Sequence, residues 1–473
     1  LNRCNMMKIL NKYENAVKTF FESKYFLGLI SILTILNFSF NIGMWTYIEV
    51  GIILSLMMLF KSRFNYLPSI VIFILGGGLS KVPNFKSFSF VLACVVGVIL
   101  IATLFYFIYC KRKEVLCITI SNSFIITTIL LAISMLLSMI TSVKPLTTLA
   151  ATGGFLINLL VMYFVLLTVK ITDDSKEELA NSFVAIFYVI FIMVVIHFLK
   201  LLPNHAFKDL FFDKKLFHLG WDYSNHYCAM MNISFIFACY ILITKWYELT
   251  WYQKLYFIFP LIGTTLVSIL LSSRGSLLGL IGSVGAAFIL IIIKNRKNKK
   301  FVITMCGIAI VGVCILATLY FTGVFDLFGD KRADGDNHLN GRQELWPVAW
   351  RHFKENWLLG TGYGTQRIFI LSETPQIVYN YHNYFFQIST AGIIGVICFL
   401  VYLVNIGWHC IKRIDWYLIV FVSILATFMI SGFVDTLFFS NKMMPLFSIC
   451  LCYMDLKPKE LAIQDKWIYK LSL

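Results

Sequence analysis

Long apolar runs follow one another along almost the whole chain, separated by short polar loops, and this repetition leaves very few folds open. Lipid offers no water to backbone N–H and C=O groups, so a segment that crosses it must satisfy those groups within itself. A run of about 20 apolar residues does so as an α-helix. Such runs fall at 25–41, 44–60, 67–80, 88–109, 115–140, 149–170, 178–200, 226–244, 255–273, 276–293, 301–321, 384–407, 416–433 and 442–454. The expected fold is all-α, a polytopic membrane protein with about 14 transmembrane helices. Composition agrees: with 59% hydrophobic and 14% charged residues, a soluble globule would leave far too much apolar surface in water.

Lys and Arg are retained on the cytoplasmic side of short loops, which orients the array. Lys61/Arg63, Lys111–Arg112–Lys113, the cluster from Lys294 to Lys300, and Lys412/Arg413 all fall on one side of the count, together with both ends of the chain. Both termini are therefore expected in the cytoplasm, and the first helix reads as a retained signal anchor. The excess of 40 Lys and Arg over 24 Asp and Glu then reflects topology and anionic lipid headgroups. No continuous basic face points to nucleic acid. The twelve cysteines lie almost entirely in spans or near cytoplasmic ends, where neither a disulfide framework nor a cysteine metal site is expected.

Residues 1–473 read as a single integral membrane domain with two external insertions, at 201–225 and 322–383. The second far exceeds an ordinary connection, which favours a functional loop. Within it Leu345, Trp346, Ala349 and Phe353 recur at helical spacing, so 342–355 is expected to be an amphipathic helix on the membrane face, ended by Gly360, Gly362 and Gly364. The GTGYGT run lacks the strand and Lys-Ser/Thr of a nucleotide loop and reads as turn chemistry. Gly275, Gly279, Gly282 and Gly285 suit close helix packing.

Three side chains carry the chemistry on offer. Arg274, between two spans at the outer boundary, reads either as a snorkelling interfacial residue or as an anion clamp, since guanidinium stays charged and matches two phosphate oxygens. Arg342 opens the amphipathic helix, where side-chain charge would add to unsatisfied backbone amides; a solvated charge paired with Glu344 is the plainer alternative. His382, beside Asn383 and just ahead of a span, bears the one side chain type that accepts a proton near neutral pH without tuning, although an interfacial histidine is often structural. Asn225 and His226 open another span and could line a cavity, although a helix-capping Ser224 and a satisfied core histidine explain them as well. Metal-ligand spacing is absent, and no pair of acidic residues lies inside a span to drive a proton-coupled carrier.

SSRG at Ser272–Gly275, GRxxLW at Gly341–Trp346, GxGxG at Gly360–Gly364, and His382–Asn383 running into AGIIG at Ala391–Gly395 follow one another in an order that resembles the O-antigen ligase and polysaccharide polymerase superfamily of bacterial envelopes. The likeness covers Leu271–Gly395 and departs at Asn356–Trp357, where members usually show Asn-Pro. It implies a glycosyltransferase of the bacterial cytoplasmic membrane with an external active loop, acting on undecaprenyl-diphosphate-linked oligosaccharide without metal, nucleotide or other cofactor. Arg274 and Arg342 would hold the diphosphate, and His382 would activate the acceptor hydroxyl. Glu344, Asn383 and Asn225 would support them, and a chain-length regulator is a candidate partner. Within the superfamily the preferred expectation is a polymerase extending a capsular or O-antigen-like polysaccharide. A ligase delivering glycan to lipid A core, and a non-enzymatic flippase of lipid-linked oligosaccharide, are the alternatives.

Overall fold

The computed structural model describes residues 13–78, 88–205, 219, 224–271, 273–300, 302–304, 307, 342–373, 381, 383–411, 414–434 and 436–454; for 77–78, 88–89, 224, 270, 274, 342–344 and 434 it describes the backbone alone. Among these residues the regular structure is helical, with no strand, as the apolar runs predict. Among the described residues seven helices are long and apolar enough to cross a membrane, or up to nine if each of two bent pairs is one span. The distance from 14 arises because the 44–60, 67–80 and 442–454 runs form short helices (Met44–Leu59, Leu67–Gly78 and Met444–Cys452), the 255–273 run forms Trp251–Leu270, which is not among the qualifying helices, and the 301–321 run falls mostly outside the described residues.

Two runs that read as single spans are broken. In the 115–140 run, Arg112–Ser121 and Ser123–Leu137 meet at 84°. Asn122 makes the corner: its backbone is extended, and its Oδ1 accepts from the amides of Phe124 at 2.9 Å and Ile125 at 3.2 Å. An Asn that can cap a new helix competes with continuing the old one. The second break divides the 384–407 run into Tyr384–Ser389 and Gly392–Ile411, with Gly392 at φ +67°. Hydropathy is blind to both corners because apolar residues continue on either side of each.

One apolar core runs from Phe21 to Met454. The helix Arg274–Lys294 lies along Trp416–Val434, where a Cβ on Gly279 would collide with Ser431 and one on Gly282 with Ile430. These glycines let the two backbones approach, as the small-residue spacing predicts. Gly285 has open space instead.

Contacts between loops sort into two ends. At one, the Phe64 amide bonds Thr168 Oγ1 at 3.2 Å, Arg63 lies 3.8 Å from Glu22, and Lys294 Nζ bonds the Ile414 carbonyl at 3.2 Å. At the other, Thr141 Oγ1 donates to the Gly360 carbonyl at 2.6 Å and Asn383 Nδ2 to the Phe433 carbonyl at 3.1 Å. Each bond joins segments that the count of spans puts on the same side.

Candidate functional site

The second of these ends gathers the segments that bear Arg274, Arg342 and His382. Arg274 is the first residue of Arg274–Lys294, and its backbone alone is described. Ser273 occupies the N-cap, where a Ser hydroxyl ordinarily accepts from the first-turn amides. Here it does not: Ser273 Oγ donates to Asn225 Oδ1 at 2.9 Å, and the helix has no side-chain cap. The neighbouring bonds hold this helix end in place. Ser276 Oγ donates to the Asn225 carbonyl at 2.9 Å, Asn232 Nδ2 to the Ser276 carbonyl at 2.8 Å, and Ser431 Oγ to the Gly275 carbonyl at 2.8 Å. Asn225 is thus joined to the residue that precedes Arg274 and to one that follows it.

His382 lies outside the described residues, but both its chain neighbours are fixed. Asn383 caps Tyr384–Ser389 with Oδ1, accepting from the Phe385 amide at 2.8 Å, while its Nδ2 reaches the Phe433 carbonyl. With both ends of the amide engaged, Asn383 is an anchor for the segment. On the other flank, the Tyr381 carbonyl accepts from Trp346 Nε1 at 3.3 Å. The Tyr381 side chain is buried, and burial pushes its phenol well above the ordinary tyrosine range.

Arg342, Gln343 and Glu344 open the helix Arg342–Glu355 by backbone alone, so the suggested pairing of Arg342 with Glu344 lies outside the described side chains. The helix forms where its apolar spacing predicts. Leu345, Val348 and Ala349 are buried against Ile370 and Tyr381, forming a small second core with Phe369 and Phe386 packed on it. Trp346 turns toward Phe386 and Phe433, with ring centroids 6.0 and 6.2 Å away. Trp350 and Phe353 stack at 5.4 Å, and Trp350, Trp357 and Leu358 are exposed, which suits a helix resting in the headgroup layer.

His352, near the end of the same helix, is held between two carboxylates. Its Nδ1 is 3.0 Å from Glu355 and its Nε2 is 2.6 Å from Glu373, which also pairs with Arg351. These contacts pin Arg342–Glu355 to the following helix, Gln366–Glu373.

The Gly-rich run is a packing joint. Gly360, Gly362 and Gly364 all have positive φ. The Gly362 amide bonds the Thr390 carbonyl at 3.0 Å, the Tyr363 amide bonds Ser138 Oγ at 2.9 Å, and Thr361, Tyr363 and Thr365 are buried. Turn chemistry, as read from sequence, is what the run performs.

Ser431, Phe433 and Thr436 had no part in the sequence reading of the site, yet they touch most of its segments. Ser431 meets Gly275, Phe433 meets Asn383 and Trp346, and Thr436 Oγ1 lies 3.3 Å from His226 Nε2. Their only trace in the sequence is a few small polar residues at the end of an apolar run. Among the described residues no group of three His, Cys, Asp or Glu side chains could hold a metal ion.

Residues 258–400 match the family described as O-antigen ligase. That segment contains Arg274, Arg342, the Gly-rich run and His382, while Asn225, His226 and residues 431–436 lie outside it. No curated protein matched the chain.

Proposed function

We propose that this chain, a membrane protein of the O-antigen ligase and polymerase superfamily through residues 258–400, is a polysaccharide polymerase, moving glycan repeat units from undecaprenyl diphosphate onto a sugar hydroxyl of another lipid-linked unit. The observation that supports it is the gathering of the matched motifs at one end of the bundle: the chain neighbours of Arg274 and His382, and Trp346 of the helix that Arg342 opens, all contact residues 431–433.

In this reading Arg274 and Arg342 grip the two phosphates. His382 takes the proton of the acceptor hydroxyl, whose oxygen bonds the anomeric carbon. The bond from that carbon to the diphosphate oxygen breaks, and undecaprenyl diphosphate leaves with the electron pair. Negative charge grows on the leaving phosphate, so fixed guanidinium groups stabilise the transition state more than the ground state. A first-turn backbone without a side-chain cap beside Arg274 adds partial positive charge in the same place. Attack opposite the leaving group inverts the anomeric centre. Asn383 holds the Phe385 amide and the Phe433 carbonyl, and Asn225 Oδ1 holds the Ser273 hydroxyl, so both support the site through its framework. The active end would face the outside of the cytoplasmic membrane, with both termini in the cytoplasm.

Purified protein supplied with lipid-diphosphate-linked glycan tests this. Glycan lengthening with release of undecaprenyl diphosphate is expected, with severe loss in Arg274→Ala, Arg342→Ala and His382→Ala at undiminished expression. Full polymer length in both arginine variants would remove the clamp, and an active His382→Ala would reduce the imidazole to a scaffold. Transport of lipid-linked glycan without lengthening would make the chain a flippase. The matched family's description favours a second reading, a ligase using the same donor. In a deletion strain, single repeats that stay attached to their acceptor mark a lost polymerase, whereas long unattached lipid-linked chains mark a lost ligase.

A further inference from the structure

The last turn of Trp416–Val434 and the residues after it are placed to set the distance between the two halves of the proposed site. Ser431 and Phe433 are two residues apart on one helix, so their contacts lie about 3 Å apart along its axis. One contact fixes the residue that follows Arg274, and the other fixes the residue that follows His382. Thr436 reaches His226, next to the Asn225 that holds Ser273. The helix is itself braced, because Gly279 and Gly282 let Arg274–Lys294 lie directly against Ser431 and Ile430. Ser431 and Thr436 are 2% and 8% exposed, so their hydroxyls make these bonds away from bulk water, where a bond lost is not replaced.

We infer that Ser431 and Thr436 are positioning residues of the transfer reaction: their hydroxyls tie the leaving-group end of the site to the residues flanking Phe433, whose carbonyl ties the acceptor end, and so fix the separation of the two; this rests on the transferase reading above. In-line displacement needs base, anomeric carbon and leaving oxygen nearly collinear, and a displacement of about 1 Å costs roughly 100-fold in rate. Donor binding is less demanding, since a long guanidinium side chain can follow a diphosphate that has moved. Loss of either hydroxyl therefore lowers kcat and leaves the donor KM almost unchanged.

The test uses full-length protein carrying Ser431→Ala, Thr436→Val or Thr436→Ser, read by lipid-linked glycan transfer, thermal unfolding and amide hydrogen exchange. Thr436→Val keeps the side chain's shape and removes its hydroxyl, while Thr436→Ser keeps the hydroxyl. Ser431→Ala and Thr436→Val are expected to lower kcat by about 10- to 100-fold with little change in KM, and Thr436→Ser to restore most of it. Exchange should quicken over 274–279 in Ser431→Ala and over 225–232 in Thr436→Val. Wild-type kcat in both variants would overturn the inference. So would activity that falls only in step with the unfolding temperature, or no rescue by Thr436→Ser. If the unsubstituted protein transfers no glycan, the transferase reading fails, and unchanged exchange in the variants would still refute the ties themselves.

Discussion

Alanine at Gly360 should loosen the joint that connects the Gly-rich run to the Gly392–Ile411 helix, and the cost can be built from two separable terms. The first is conformational: Gly360 sits at φ +80°, a region where an L-residue pays about 1–2 kcal/mol. The second is steric. A Cβ there would lie 2.6 Å from the Thr390 carbonyl carbon, inside the 3.0 Å that real Cβ contacts respect, and the atoms in the way are backbone, which cannot rotate aside. Moving Thr390 disturbs the Gly362 amide bond to its carbonyl, about 1 kcal/mol more. The sum is about 2–3 kcal/mol. Two other glycines isolate the terms. Gly43 has φ +57° and ψ −100°, outside the left-handed helical well, with nothing within 4 Å, so Gly43→Ala bears a conformational cost alone, about 1–3 kcal/mol. Gly285 lies inside a helix in open space, so Gly285→Ala should be neutral or stabilising by up to about 1 kcal/mol. Thermal unfolding of the three variants in one detergent gives the order, with hydrogen exchange over 360–365 as the local readout for Gly360→Ala. Unchanged hydrogen exchange over 360–365 in Gly360→Ala would refute the steric argument, and a loss in Gly285→Ala as large as in Gly43→Ala would refute the conformational one.

Two further outcomes follow from local geometry. Asn122→Ala removes both bonds to the Ser123–Leu137 helix and should cost about 1 kcal/mol, while Asn122→Ser keeps most of it; a variant as stable as the parent in thermal unfolding would mean that the corner does not depend on its cap. Tyr363 and Tyr381 are buried in the loop region with phenol values raised by burial. A raised acid holds its proton when folded and loses it when unfolded, so their contribution is intact below the ordinary tyrosine value and declines as pH rises above it. Alkaline unfolding should therefore begin above about pH 10 and shift upward in Tyr381→Phe, and an unshifted midpoint would count against this assignment. At neutral pH the same variant should be at least as stable as the parent, because the Tyr381 hydroxyl has no hydrogen-bond partner among the described residues.

Much of the architecture was determined by sequence, and for a local reason. Backbone groups in lipid must be satisfied within their own segment, so an apolar run declares a helix whatever surrounds it. The same locality made Arg342–Glu355 legible from Leu345 and Ala349, and the Gly-rich run legible as a turn. Order along the chain was enough to draw attention to Arg274, Arg342 and His382, because charged and titratable residues stand out in apolar surroundings. Tertiary structure alone decided the rest. The corners at Asn122 and Gly392 depend on which competing hydrogen bonds and close approaches prevail. His352 became a tie between helices only because Glu373 folds back to it. The part played by Ser431, Phe433 and Thr436 was invisible, since a hydroxyl or carbonyl acting on a partner 50 to 210 positions away leaves no periodic mark on its own segment. Hydropathy records what each segment does with lipid, and packing decides what the segments do to one another.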